Sequence, residues 1–411
     1  MRDERGRFRG ARRALLPVVL LVLVLAAASC GEEESGSKKP VEHPPEPVVF
    51  TRQTRALVID AKDVRVVEQS PVLSTEEIAG LFPRAVLRRQ LHDQISLDAE
   101  ITADGSPASD KDRSFAVRIV AHWESLQQSY PPFEELVIVL DLLTVPGDAL
   151  VAPATVNPRD LTFRRGAADT YPKLILQQVQ EAARTLARDV PAGTKLLFVL
   201  GEGLNRLDEA EFTAFKAFYA EHLYPALQAI AEDEEREIRV TTSLDWEAFL
   251  AAQAAGAESA EAGGDRPPGD AAAWDALVSG LEDKLDLLVL QSVLRGHETI
   301  DDLPEDHFSR LRQVLPANLP VAFLPLYWPC RGAGDVSAAR DLLREFHFLA
   351  AGLNLAFFTW PRFIDMTDQE CGRYADALKG SADFCYSGLV RSAGNPKSLW
   401  NDVLDEELPE R

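Results

Sequence analysis

Eight short apolar runs recur between residues 55 and 360, and most of the chain between them has helical spacing. They are RALVID (55–60), QISLDAEI (94–101), ELVIVLD (135–141), KLLFVLG (195–201), EIRVTTS (237–243), LDLLVLQ (285–291), LPVAFLP (319–325) and LNLAFFTW (353–360). Continuous rather than alternating apolarity predicts strands covered on both faces, the habit of parallel sheets. The intervening segments read as helices. Over 113–130, Phe115, Ile119, Trp123 and Leu126 form one stripe, and over 206–227 Phe212, Phe215, Tyr219 and Leu223 do the same. Four more helices are predicted at 171–188, 271–283, 306–314 and 336–350, and a first one near 75–92, interrupted by Pro83. Strand then helix, repeated eight times, predicts an α/β fold, a (β/α)8 TIM barrel over 50–411, in preference to an open doubly wound sheet.

The long segments fall unevenly. Residues 142–171, 244–270 and 361–390 follow the third, fifth and eighth strands, which makes them βα loops on the C-terminal face, where barrels keep their sites. The second contains the low-complexity run AAQAAGAESAEAGGDRPPGD (251–270), which reads as a mobile flap or, in the simpler reading, a tolerated surface insertion. Strand ends in this face offer Asp60, Asp98 or Glu100, Asp141, Glu202, Asp245 with Glu247, Gln291, Tyr327 with Trp328, and Trp360. Acids together with exposed indoles suit a carbohydrate, which offers hydroxyls to carboxylates and flat C–H faces to rings. Taken singly, each carboxylate is more often a helix cap or ion-pair partner than a catalyst.

The chain's start changes the picture of where this happens. Residues 1–13 hold six arginines against two acids, and residues 14–28 are apolar, a run of about 15 residues that is too short to span a bilayer. It ends Ala27-Ala28-Ser29-Cys30, which resembles a lipobox with Ala in place of the usual Leu. This implies a signal peptide over 1–29 and a lipid-acceptor cysteine, Cys30, with the protein anchored on the periplasmic or outer-surface side of a membrane. Residues 30–49, rich in charge and proline, read as a disordered tether. Loss of residues 1–29 takes the net charge from −22 to −26, which excludes nucleic acid as a partner and leaves lipid as the membrane link. Export also makes a disulfide expected among Cys330, Cys371 and Cys385. Of three pairings, Cys371 with Cys385 closes the shortest loop, and Cys330 is then left over.

Over about residues 130–405 the chain resembles the clan of retaining (β/α)8 glycoside hydrolases, in particular cellulase-like and endo-galactanase-like families. The motifs are KLLFVLGEGLN, LNLAFFTWPRF and the closing SGLVRSAGNPKSLWNDVL (387–404). The resemblance implies Glu202 as acid/base at the fourth strand, with the clan's preceding Asn absent and Asn205 three places on. It also implies Trp360 as a sugar-subsite residue at the eighth. At the seventh strand LPVAFLPLYWPC has Pro325 where the clan has its nucleophilic Glu, so a covalent glycosyl intermediate has no carboxylate there to form on. If the protein is an enzyme, Glu202 must work with another acid, Asp141, Asp245 or Glu247, as an inverting pair. If it is not, the same mouth binds a polysaccharide or a partner protein. Tyr327, Trp328, Trp360 and Asn205 are the expected ligand contacts. No phosphate loop, dinucleotide fingerprint or metal-spaced Cys/His pair occurs, so no cofactor and no metal are expected.

Overall fold

In the computed structural model the described residues are 51–90, 114–141, 170–261, 269–294, 300–304, 306–315, 319–328, 336–349, 353–377 and 385–404. They all fall in one compact unit, Pro45–Arg411. Nine parallel strands make its main sheet: β1 (Arg55–Val58), β2 (Arg84–Gln90), β3 (Glu135–Asp141), β4 (Lys195–Leu200), β5 (Ile238–Thr241), β6 (Ser243–Asp245), β7 (Leu288–Val293), β8 (Val321–Tyr327) and β9 (Leu355–Thr359). Their order is β5-β4-β3-β2-β1-β9-β8-β7-β6. The two ends of that order are consecutive in the chain, separated only by Thr242. Thr242 Oγ1 donates to Leu200 O at 2.7 Å and Thr241 Oγ1 to Leu287 O at 2.6 Å, so the break is tied to both neighbours. Counting β5 and β6 as one stave gives an eight-staved barrel, the architecture expected from the repeat.

Polarity alternates between the inside and the outside of the wall. Val58, Val86, Val139, Val199, Val289 and Phe357 belong to an apolar waist inside the barrel, distinct from the larger core between wall and helices. Below the waist, Glu135 on β3 accepts from Arg84 Nε at 2.7 Å and pairs with Arg239 of β5.

Helices cover the outside. They are α1 (Ala61–Gln69), α2 (Thr75–Leu81), α3 (Ser114–Ser129), α4 (Thr170–Asp189), α5 (Glu209–Phe218), α6 (Tyr224–Asp233), α7 (Trp246–Glu261), α8 (Asp270–Val278), α9 (His307–Val314), α10 (Ser337–Leu349), α11 (Asp368–Ala377) and α12 (Ser398–Leu404). A turn of π-helix, Tyr219–Leu223, joins α5 to α6 just ahead of Pro225, which has no N–H to continue the regular ladder.

Three expectations are corrected. The second stave is β2 at 84–90, whereas the run 94–101, with Asp98 and Glu100, lies outside the described residues. The expected helix over 75–92 is α2 followed by that strand. Pro83 disfavours helical backbone at Phe82, which is extended, and the chain enters β2 one residue after the proline. Inward-facing Arg84 and Arg88 had disguised the strand's apolar run. The alanine-rich stretch is likewise no flap up to Glu261, because Ala is the strongest helix former and α7 runs through it. Residues 262–268 of that stretch, and 142–169 of the loop after β3, lie outside the described residues.

After β9 the chain forms a small parallel pair, β10 (Arg362–Ile364) with β11 (Gly388–Val390). The closing segment holds it in place. Lys397, buried, donates to Asp365 Oδ1 at 2.7 Å and to Tyr386 O at 2.7 Å, and burial pushes the Asp365 carboxyl up despite that ammonium. Gly388 is required here, since a Cβ would meet Asp365 N at 2.4 Å. Trp400 of α12 then packs on Phe82 and Phe363, with ring centroids 5.5 and 5.9 Å apart.

Candidate functional site

The strands deliver their C-terminal residues to one mouth. Inward alternation on β2 brings Arg88 to the rim, and the turn after β4 brings Glu202, whose Oε2 accepts from Arg88 Nε at 2.8 Å and Nη2 at 2.5 Å. Glu202 is 4% exposed. That turn is built on glycine: Gly201 and Gly203 have φ of 87° and 58°, the left-handed region. It carries the chain across the rim toward β6 and β7, where a Cβ on Gly203 would meet Gln291 Oε1 at 2.9 Å.

Asp245 ends β6 beneath this turn and is fully buried. Asn205 clamps its backbone from both sides, Nδ2 donating to Asp245 O at 2.8 Å and Oδ1 accepting from Asp245 N at 2.7 Å. The Asp245 carboxylate caps α7 through Ala248 N at 2.8 Å and forms an ion pair with Arg206. On the other side of the rim, Arg362 lies 3.5 Å from Asp60. Three acids read from the sequence therefore each face a guanidinium. Arg88 and Arg206 were not singled out in the sequence. Arg88 had been assigned to a helix, and Arg206 looked like an ordinary helix-start residue.

Asp245 has no surface on which to hold a water, and its carboxylate is taken up by a cap and an ion pair, so the expected inverting partnership of Glu202 with Asp245 is not what the geometry provides. Glu247 points away, accepting from Ser292 Oγ at 2.9 Å with His307 Nε2 3.3 Å off. Asp141 ends β3 beside Gln90, and its side chain is outside the described part of the structure. Asn205 serves the backbone rather than an open cleft.

The aromatic residues are buried rather than exposed. Tyr327, Trp328 and Trp360 are 0%, 3% and 2% exposed, and Tyr327 meets Trp360 edge-on with centroids 5.6 Å apart. The wide, flat side chains that looked like sugar platforms are part of the outer core. The seventh stave presents no acid: Leu324 joins the apolar interior, and the Leu324–Pro325 peptide is cis. In the loop after β9, Cys371 and Cys385 are joined, with Cα atoms 5.3 Å apart, as expected from the shortest loop. Cys30 and Cys330 lie outside the described residues.

The strand order and register define a (β/α)8-type barrel with a paired-charge mouth. No family model matches the chain, and a search of curated proteins finds no match. Solved structures that superpose on it are glycoside hydrolases. A family 39 glycoside hydrolase from the gut symbiont Bacteroides cellulosilyticus WH2 shares 12% identity, with 87% of this chain and 64% of that chain covered and a TM-score of 0.47. A GH5_18 protein from Streptomyces cattleya, in complex with Manb1-4GlcNAc, shares 13% over 84% of this chain and 75% of that one, with a TM-score of 0.49. The GH53 catalytic domain of Ignisphaera aggregans shares 12% over 88% and 98%, with a TM-score of 0.44. These are likenesses of fold, and this chain spans just under two thirds of the length of the first.

Proposed function

We propose that this chain is a lipid-anchored, extracytoplasmic barrel that binds a glycan at its C-terminal mouth and does not cleave it by double displacement. The observation that carries the reading is the seventh stave. A retaining mechanism needs a second carboxylate about 5 Å from the acid/base, and β8 offers Leu324 and Pro325. Glu202 supports the same reading, because its Oε2 already accepts two charge-assisted bonds from Arg88. Asp245 is taken up by its helix cap and Glu247 by Ser292, so neither of the two candidate second acids whose side chains are described stands ready to activate a water. A concave polar mouth at strand C-termini is still where a barrel binds small ligands. Cys30 after the apolar run supports the anchor.

The test is a panel of plant, fungal and bacterial cell-wall glycans presented to the protein, with retention and release of reducing ends measured together. Saturable retention without release is expected. Turnover with retained anomeric configuration overturns the reading. Fractionation of cells expressing Cys30→Ser addresses the anchor: the variant is expected uncleaved or soluble, and recovery of a processed, lipidated species contradicts it.

A further inference from the structure

On the face opposite the mouth, the end of α3 and the approaches to β3 and β4 form a groove of about 120 Å³, lined by Trp123, Leu126, Tyr130, Pro132, Phe133 and Pro191. Pro132 and Pro191 are exposed at its opening, and the rings of Tyr130 and Phe133 lie 5.8 Å apart behind them. Trp123 and Tyr130 are 2% and 5% exposed. Even so, the Trp123 Nε1–H and the Tyr130 hydroxyl have no hydrogen-bond partner among the described residues. Buried donors normally find acceptors, because an unpaired one has lost its water and gained nothing. A wall of rings holding two unmatched donors fits one chemistry closely, a proline-rich segment. Its pyrrolidine rings pack on aromatic rings, its backbone carbonyls accept, and its proline nitrogens bring no N–H that would need an acceptor.

The chain carries such a segment within reach. Pro45-Glu46-Pro47 lies outside the described residues, which begin at Thr51. The described chain starts on the groove's own face. Arg52 donates from Nη1 to Glu134 Oε1 at 2.5 Å and from Nε to Gly80 O at 2.6 Å, and Glu134 adjoins Phe133 of the groove. In polyproline geometry the six steps from Thr51 back to Pro45 span about 19 Å. Charge agrees with reach. Arg236 donates from Nη2 to Pro191 O at 3.1 Å, and among the described residues no carboxylate is paired with it. We infer that Pro45-Glu46-Pro47 docks in this groove as a turn of polyproline helix. Three residues per turn put the two prolines on the edges that meet the rings and Glu46 on the third edge, beside Arg236. Backbone carbonyls of the segment then take the Trp123 and Tyr130 donors. Docking leaves the mouth unobstructed, since the groove lies at the strands' opposite ends. On the anchored reading above, the barrel is held by the face away from its mouth; the docking itself does not need that reading.

Fluorine NMR of the full chain with its six tryptophans replaced by 5-fluorotryptophan tests this. The chain carries Cys30→Ser, so the result does not depend on lipidation. Pro45→Ser with Pro47→Ser, outside the packed core, should move the Trp123 signal and leave the other five in place. Trp123→Phe assigns that signal; if this variant does not fold, Tyr130→Phe, which perturbs the same resonance, assigns it instead. A synthetic peptide of residues 45–50 added to the double variant should return the signal to its wild-type position saturably. Tyr130→Phe in the same background removes only the hydroxyl and should weaken the peptide about fivefold. A Trp123 signal indifferent to both prolines overturns the inference, as does peptide affinity unchanged by Tyr130→Phe. A wild-type signal that moves with protein concentration places a second copy in the groove. Decaproline that shifts wild type as readily as the double variant shows a groove left open for a partner's segment. Either of these results also overturns it.

Discussion

At the scale of single residues, the mouth shows how the same carboxylate serves structure or chemistry according to what surrounds it. Asp245 has the strand-end placement of a catalytic acid, and it is a helix cap held by Asn205. Asp63 shows the electrostatic side of burial. It sits in the first turn of α1, where its Oδ2 accepts from Asp60 N at 2.9 Å, and it is 1% exposed. Burial, and next the charge of Asp60, push its carboxyl up to about 8; the Asp60 N–H, Arg362 and Lys62 oppose them. A carboxyl raised in the folded state keeps a proton that the unfolded chain releases from about pH 4 upward. Its contribution to stability is therefore full below pH 4 and is lost as the pH rises through about 8. Asp63→Asn retains an acceptor for the Asp60 N–H and removes the titration. Its melting temperature relative to wild type should be several degrees higher at pH 8.5 than at pH 5, and an equal difference at both pH values contradicts the assignment. The position of Glu202 was legible because strand, glycine and acid are adjacent in the chain. Its partner Arg88 was not, since the pairing joins β2 to the turn after β4 and nothing local announces it.

At the scale of elements, seven staves and six helices could be read from apolar runs and helical stripes, since each of those segments buries a face that its own sequence displays. The second stave could not. RAVLRRQ carries arginines on its inward face for the two ion clusters above and below the waist, which breaks the apolar run. The alanine-rich part of α7 failed for the opposite reason: low complexity hid a high helix propensity. Cysteine spacing did identify the disulfide, which closes a separation of 14 residues in the loop after β9. Cross-linking a loop of that size stabilises by roughly 3 kcal/mol on the chain-entropy model. Reduction, or Cys371→Ser with Cys385→Ser, should lower the melting temperature by several degrees while leaving the barrel's far-ultraviolet circular dichroism intact. No change in melting temperature contradicts a load on that bond.

At the scale of the whole molecule, the closed wall explains how charges from distant parts of the chain come to be paired at one rim. Eight staves bring distant strand ends to one rim, and the two ion clusters, Arg84–Glu135–Arg239 below and the guanidinium–carboxylate pairs above, fix that rim's side chains. A pre-formed polar rim costs a ligand little reorganisation. The barrel could be read from the repeat of strand and helix. That Glu202, Asp245 and Asp60 are each paired with a guanidinium, with Tyr327, Trp328 and Trp360 turned into the core, could not, because pairing and burial depend on neighbours far away in sequence. The central claim, binding without covalent cleavage, is tested most directly by titrating wild type and Glu202→Gln with the same neutral oligosaccharide and following the mixtures by proton NMR of the anomeric signals. Comparable affinity and no new anomeric signal in either mixture is the predicted result. Release of a sugar with retained configuration by wild type, abolished in Glu202→Gln, contradicts it.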